Sequence, residues 1–292
     1  MSINYLEAQL RQVLDRVSNN DQVDVDDAWI EEAGEQMKAA LRKQFTPRQP
    51  EFRIRMSNLG RPLCQLQMEK AGMEASRMPY NHVMRMLVGD ATEVFVRLLL
   101  KIAKVNVTSH GDSVQLPVAG ETIKGDSDID IDGKVYDVKS CSEWAFKNKW
   151  SQGYDGMKTG DDFGYIGQLF GYADAQKKPA GGWVVVNKSS GEIRVVEATP
   201  TEAEQQVIRQ ERHDAVVAIT TDQPFQRKFT AQEELFRGRP TGAIKVNDSC
   251  TRCKFMQVCW PNAKFLKHPR SEAKNPPYNW YVEYPVVVEV AE

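Results

Sequence analysis

The chain has no uninterrupted apolar run long enough to cross a bilayer. Its longest apolar stretches, such as Phe95 to Val107, are broken by Arg97, Lys101 and Lys104. It also lacks a dominant charge: 38 Lys and Arg stand against 40 Asp and Glu, a net charge of −2. Bulk electrostatics therefore single out no polyanionic partner, and any nucleic-acid contact must come from local patches. Repeats and low-complexity tracts are absent. Cysteine is scarce, five in 292 residues, and no apolar signal segment stands near the start, so paired extracellular disulfides are not expected. What is present, 41% hydrophobic and 27% charged residues, suffices for one elaborated globular domain with a substantial core.

The most informative stretch runs from Gly125 to Lys139, G-D-S-D-I-D-I-D-G-K-V-Y-D-V-K. Period-two alternation on both sides of Asp132-Gly133 predicts a β-hairpin with those two residues as its turn. Ile131 then faces Lys134, Asp130 faces Val135, Ile129 faces Tyr136 and Asp128 faces Asp137. Two carboxylates opposite one another, roughly 4.5–5.5 Å apart at Cβ, repel unless something lies between them. A divalent cation converts that repulsion into a binding site, and Lys139 projects beside it from the same face. Asp130 is the alternative ligand if the register shifts by a bulge. A calcium loop is excluded because Lys139 stands where a bidentate Glu is required. An exposed hairpin with a solvated Asp row, and Asp126 paired with Lys139, is the plain alternative.

Around the hairpin, helical periodicity marks residues 3–17, 27–45, 81–104 and 162–176. Strands are expected near 113–118, 123–131, 134–140, 182–188 and 192–197. Thr199 is expected to cap a further helix, with Pro200 first and Glu202 third, and residues 281–290 alternate weakly like a closing strand. Pro47 and Pro50 mark a break, so residues 1–50 read as a helical extension and 51–292 as the main domain. In the helix near 81–104, Glu93 lies on the line of Gly89, Val96 and Leu100, with Arg97 one turn on as an ordinary surface partner. Gln168 and Tyr172 share a face with Tyr165 in the helix near 162–176.

Cys250, Cys253 and Cys259 form C-x2-C-x5-C, with Cys64 far upstream. Thiolates at this spacing suit a metal or cluster site in a reducing compartment. A zinc knot with His268 as fourth ligand is one option. Cys141, which follows the second hairpin strand, reads as a small buried hydrophobe. Two basic patches stand out: Lys147, Lys149 and Lys158 among Trp144, Phe146 and Trp150, and Arg252, Lys254, Lys264, Lys267 and Arg270 around the cysteines. Cations there could meet phosphates while aromatics stack on unpaired bases; solvated charge beside core aromatics is the bland alternative.

The hairpin with Asp128 and Asp137-Val138-Lys139, Gly89-x-x-x-Glu93 before it and Gln168-x-x-x-Tyr172 after it, resembles the RecB-like branch of the PD-(D/E)xK nucleases. The Pro of the signature's name is absent, and Gly125 stands three residues ahead of Asp128. The cysteine pattern resembles the iron–sulfur subgroup of that branch, which includes AddB-type and CRISPR-adaptation enzymes.

This resemblance implies an α/β fold, a central mixed sheet flanked by helices, with a C-terminal segment stapled by a [4Fe–4S] cluster on Cys64, Cys250, Cys253 and Cys259. It implies Mg²⁺ or Mn²⁺ held by Asp128, Asp137, the Val138 carbonyl and Glu93, with Lys139, Gln168 and Tyr172 completing the catalytic set. The activity it implies is a cytoplasmic deoxyribonuclease of a bacterial or phage-infected cell, an exonuclease at single-stranded DNA ends. An endonuclease of the same fold and a non-catalytic iron–sulfur DNA-binding or redox-sensing protein are the alternatives. No membrane partner is expected, and no helicase partner is specified.

Overall fold

The chain opens with α1 (Tyr5–Ser18), α2 (Asp27–Phe45), α3 (Met56–Leu59), α4 (Leu63–Lys70) and α5 (Asn81–Ile102). Five strands follow: β1 (Val107–His110), β2 (Ser113–Val118), β3 (Glu121–Asp126), β4 (Ile129–Ile131) and β5 (Lys134–Cys141). Then come α6 (Glu143–Asn148), α7 (Gly153–Lys158), α8 (Tyr165–Gln176), β6 (Ala180–Asn187), β7 (Ile193–Glu197) and α9 (Glu202–Thr220). The last elements are β8 (Gln232–Phe236), β9 (Arg239–Lys245), α10 (Met256–Cys259), β10 (Lys264–Lys267) and β11 (Tyr278–Glu283). This computed structural model describes residues 4–47 and 51–285. The part of the expected 281–290 strand beyond 285 lies outside the described residues.

The elements form two units. One comprises residues 1–61 and 79–221, the other 62–78 and 222–292. The division differs from the expected helical extension followed by a single domain. Leu6 and Leu10 of α1 are buried in a core with Val96, Leu100, Val138 and Val184, and α2 packs along α5, so the N-terminal helices belong to the first unit.

The first unit is built on a mixed sheet in the order β1-β4-β5-β6-β7. Strands β4 and β5 form the expected antiparallel hairpin, with Ile129 opposite Tyr136 and Ile131 opposite Lys134. Asp132 and Gly133 both take positive φ, 49° and 74°, as a two-residue turn matched to strand twist requires. Strand β6 runs parallel to β5; such a connection needs a long crossover, and α6, α7 and α8 supply it. Alternation along β5 divides its side chains between two cores. Val135 and Cys141 pack with Trp183, Leu169 and Tyr172 on one side, whereas Tyr136 and Val138 pack with Val96 and Leu100 on the other.

Several boundaries shift by one to three residues, and two differ for a structural reason. The expected 123–131 strand is interrupted at Ser127-Asp128: Asp126 pairs with Ser113 in a separate β2–β3 ribbon, whereas Ile129 pairs with His110 in the main sheet. The alternation is the same on both sides of the break, so it cannot signal a change of sheet. Helix α9 is capped by Thr201 rather than Thr199, through a reciprocal box in which Thr201 N–H donates to Glu204 at 2.8 Å and Glu204 N–H donates to the Thr201 hydroxyl at 3.2 Å. Pro200 holds Thr199 extended and moves the start two residues on.

The second unit holds an antiparallel sheet in the order β10-β11-β9-β8 and a small core of Val246, Cys250 and Met256 against Trp260, Trp280 and Val282. It is discontinuous in sequence, since α4 joins residues 222 onward.

Candidate active site and cysteine centre

The break at Ser127-Asp128 frees Asp128 from strand pairing and turns its carboxylate across the hairpin, where it accepts the Val138 N–H at 2.9 Å. Asp137 follows on β5, 1% exposed. Its Oδ1 has no hydrogen-bond partner. Its Oδ2 lies 2.6 Å from the Lys139 ammonium, at an angle outside hydrogen-bond geometry, and the Asp128 carboxyl adjoins the group. Burial, partly offset by Lys139 and reinforced by Asp128, pushes the Asp137 carboxyl well above the usual carboxylate range. Lys139 Nζ also lies 3.4 Å from the Val138 carbonyl oxygen. Burial pulls the Lys139 pKa down, but Asp137 and Asp128 more than offset it, and the ammonium stays charged.

Glu93 approaches from α5. Burial and then the Asp128 charge push its carboxyl up to about 7, with Lys139 and Arg97 opposing. Its contact with Arg97 is long, 3.7 Å, so the surface pair expected as its plain alternative is a loose one. From α8, Tyr172 interacts with Gln168 and feels Asp128, Asp137 and Lys139; burial leads the rise in its pKa. Gly125 makes this approach possible, since a Cβ there would stand 2.7 Å from Met56 and 3.0 Å from Tyr172 Cε1. Glu93, Asp128, Asp137, Lys139 and Tyr172 thus lie within electrostatic reach of one another, and Gln168 adjoins Tyr172.

Other expectations are corrected. Asp130 is not an alternative ligand here. It is wholly buried and accepts from Ser109 at 2.9 Å and Gln176 at 3.3 Å while pairing with Lys178. Asp126 is not the partner of Lys139; Asp137 is. Trp150 does not offer a face to unpaired bases: it is 2% exposed and stacks on Tyr165 at 6.0 Å, against Trp183. Phe146 is likewise core, while Trp144 is exposed. Among the cations, Lys147 pairs with Glu143, Lys158 with Asp155 and Glu204, and Lys254 with Glu69. Lys149 donates to the Gly160 carbonyl, and Arg252 is exposed. Tyr165, named in the sequence only as sharing a face with Gln168 and Tyr172, holds its ring 5.2 Å from Lys139 Nζ. An aromatic three residues before Gln168 on the same helix was the available signal.

In the second unit, Cys64 sits on α4, and Cys250, Cys253 and Cys259 follow one another through successive turns, with Cys253 N–H donating to the Cys250 carbonyl at 3.0 Å. All are free thiols. Burial raises the Cys250 thiol to about 11, and Cys259, Cys64 and Cys253 each add to the rise, so the four sulfurs share one neighbourhood. The Arg227 side chain donates to Cys259 Sγ at 3.4 Å and stacks on Trp260 at 4.0 Å. His268 is not a fourth zinc ligand: its Nδ1 accepts the Arg270 N–H at 3.2 Å and its Nε2 faces Glu234 at 3.3 Å. Cys141, in the first unit, is buried and raised to about 11 by that burial, as a packing thiol.

No family model and no curated protein matches the chain. Among solved structures, SSO0001 is similar at 16% identity, covering 77% of this chain and 95% of that one, with a TM-score of 0.41.

The donor chemistry of both centres suits the groups the sequence implies. One buried and two half-buried carboxylates with a carbonyl are the oxygen set a hard divalent cation takes, and the unpartnered Asp137 Oδ1 is a buried acceptor of the kind such a cation satisfies. Four thiols are the donor set an iron–sulfur cluster takes, and these four lie within electrostatic reach of one another. As they stand, no three His, Cys, Asp or Glu side chains among the described residues converge tightly enough to hold a single metal ion.

Proposed function

We propose that the chain is a metal-dependent DNA nuclease of the PD-(D/E)xK type, hydrolysing phosphodiester bonds as an exonuclease at single-stranded ends. The observation that carries the reading is Asp137: a fully buried carboxylate with one oxygen unpartnered, beside a second carboxylate and a charged lysine. Leaving such an acceptor unsatisfied costs about 1–3 kcal/mol or more, a cost a protein retains when the group has work to do.

In this reading Asp128, Asp137, the Val138 carbonyl and Glu93 hold Mg²⁺ or Mn²⁺, which when bound activates water and neutralises phosphate charge. Lys139 stabilises the charge that builds on the phosphoryl oxygens. Tyr165 braces its ammonium from the ring face. Gln168 and Tyr172 position the scissile phosphate, and the products are a 5′-phosphate and a 3′-hydroxyl. Cys64, Cys250, Cys253 and Cys259 hold a [4Fe–4S] cluster as a staple of the second unit, which joins α4 to the C-terminal region. Incubating end-labelled single- and double-stranded DNA and a covalently closed single-stranded circle with protein and Mn²⁺ tests the reading. Loss of the linear single strand with the circle intact is expected. Cleavage of the circle would make it an endonuclease, and no cleavage in any divalent metal would overturn it.

A further inference from the structure

Strand β10 is the edge of the second unit's sheet, and its pairing with β11 is regular, with Phe265 opposite Trp280 and Lys267 opposite Tyr278. Side chains alternate along a strand, so Phe265, Lys267, Tyr278 and Trp280 share one face. Tyr281, on the other, is 1% exposed in the unit's interior. Phe265 lies 5.2 Å from Trp280 and 5.5 Å, on the diagonal, from Tyr278. Opposed and diagonal aromatics on one sheet face hold each other in place. They are nevertheless not covered: Phe265 is 55% and Tyr278 52% exposed. Trp280 roots the group by packing against the small core.

Lys267 brings a positive charge to this face, and the segment that begins at the edge strand is predominantly basic. Between residues 264 and 274, Lys264, Lys267, Arg270 and Lys274 stand against Glu272 alone. Unlike Lys158, Lys178 or Lys254, these four cations make no ion pair among the described residues. Exposed rings beside the unpaired Lys267 ammonium, in a basic segment, match the chemistry of a single-stranded nucleic acid, whose bases stack on aromatic faces while its phosphates meet ammonium groups. A protein partner's apolar patch would be ill served by the surrounding unpaired charge.

We infer that the β10–β11 face, with Phe265 and Tyr278 as stacking rings and Lys267 as a phosphate contact, is a binding platform for single-stranded DNA. The inference deepens the nuclease reading, giving the second unit a share in substrate capture, and it does not depend on the hydrolytic site being active.

Fluorescence anisotropy of a labelled oligothymidylate with the full chain, in EDTA to prevent cleavage, tests it. Phe265→Leu, which keeps apolar bulk but removes the π face, and Tyr278→Leu should each weaken binding by about ten-fold, the loss of roughly one stacked base. Phe265→Tyr should retain affinity. Lys267→Gln should lower the slope of log affinity against log salt by about 0.7, one phosphate on a single strand. Should a variant fail to fold, ultraviolet crosslinking of an iodouracil-substituted strand to the wild-type protein gives an independent answer: peptides containing Phe265 or Tyr278 should carry the adduct. Affinity and salt slope unchanged in Phe265→Leu, Tyr278→Leu and Lys267→Gln, adducts only elsewhere, or a self-association lost in Phe265→Leu with DNA binding intact would each overturn the platform. Wild-type binding that survives every variant, with cleavage preserved, removes the platform and leaves the nuclease reading standing. Platform-dependent binding without cleavage in any metal does the reverse.

Discussion

The Asp128 carboxylate accepts the Val138 N–H across the hairpin at 2.9 Å, and this bond sets the aim of the whole site. Val138 lies between Asp137 and Lys139, so fixing its amide against Asp128 brings the two carboxylates and the lysine together. Asp130, two residues on, performs a different task, tying β4 to Ser109, Gln176 and Lys178.

The two aspartates should therefore separate by assay. Asp128→Ala should abolish cleavage with a modest loss of stability. Asp130→Ala should leave residual chemistry but destabilise the fold by about 2–3 kcal/mol, because it strips a buried acceptor from three donors. Urea denaturation alongside turnover measures both, and an Asp130→Ala protein of normal stability without activity would show that the register is misassigned.

Stability of the metal-free protein should fall as pH rises from 4.5 toward 7. Glu93 is held near 7 by burial and the Asp128 charge against an ordinary 4.5, so the native state binds its proton more tightly than the unfolded chain across that window. Asp137 acts in the same direction. Glu93→Gln should reduce the slope and raise the urea midpoint above pH 7. Mg²⁺ should raise the melting temperature more at about pH 8 than at about pH 5, where protons compete for the same oxygens. A melting temperature indifferent to Mg²⁺ at both pH values would contradict the proposed ligand set.

Gly125→Ala should displace Tyr172 or Met56, since its Cβ would approach them to 3.0 and 2.7 Å. A destabilisation of about 1–3 kcal/mol is expected, together with a fall in turnover comparable to that of Tyr172→Phe. Thermal melts and single-turnover rates check the pair; a Gly125→Ala enzyme with normal turnover would detach Tyr172 from the chemistry.

Protein purified without oxygen should be brown and contain about four irons per chain, bleaching under dithionite. Cys64→Ala should lose the colour as fully as Cys253→Ala, because both sulfurs lie in the Cys250 neighbourhood, whereas Cys141→Ala should keep it. His268→Ala should also keep it, as both ring nitrogens are engaged elsewhere. Arg227→Gln should lower the reduction potential by removing the donor to Cys259 Sγ. A colourless protein with one zinc would replace the cluster.

What the sequence made legible was local. The Asp132-Gly133 turn, the register beyond it and α2, Asp27–Phe45, follow from alternation, turn chemistry and the Asp26 side chain that caps Ala28 N–H. Period-two alternation could not reveal that Asp126 and Ile129 pair in different sheets. Nor could the mixture of Trp, Phe and Lys after β5 reveal which rings turn inward: Trp150 and Phe146 do, and Trp144 does not. Of the second unit's strands, β11 was met only in part by the strand expected from 281, and β8, β9 and β10 were missed. They are four to seven residues long, too short for a pattern to stand out, and β9 pairs with β11 across more than thirty residues of intervening chain.

The most direct test is release of label from linear single-stranded DNA by the wild type, Asp137→Asn and Lys139→Met, with Mg²⁺, Mn²⁺ or EDTA, on proteins of matched circular dichroism. Wild-type activity that requires a divalent cation, with both variants slower by about a hundred-fold or more, is the predicted result. Cleavage that persists in EDTA, or variants as fast as the wild type, would contradict the account.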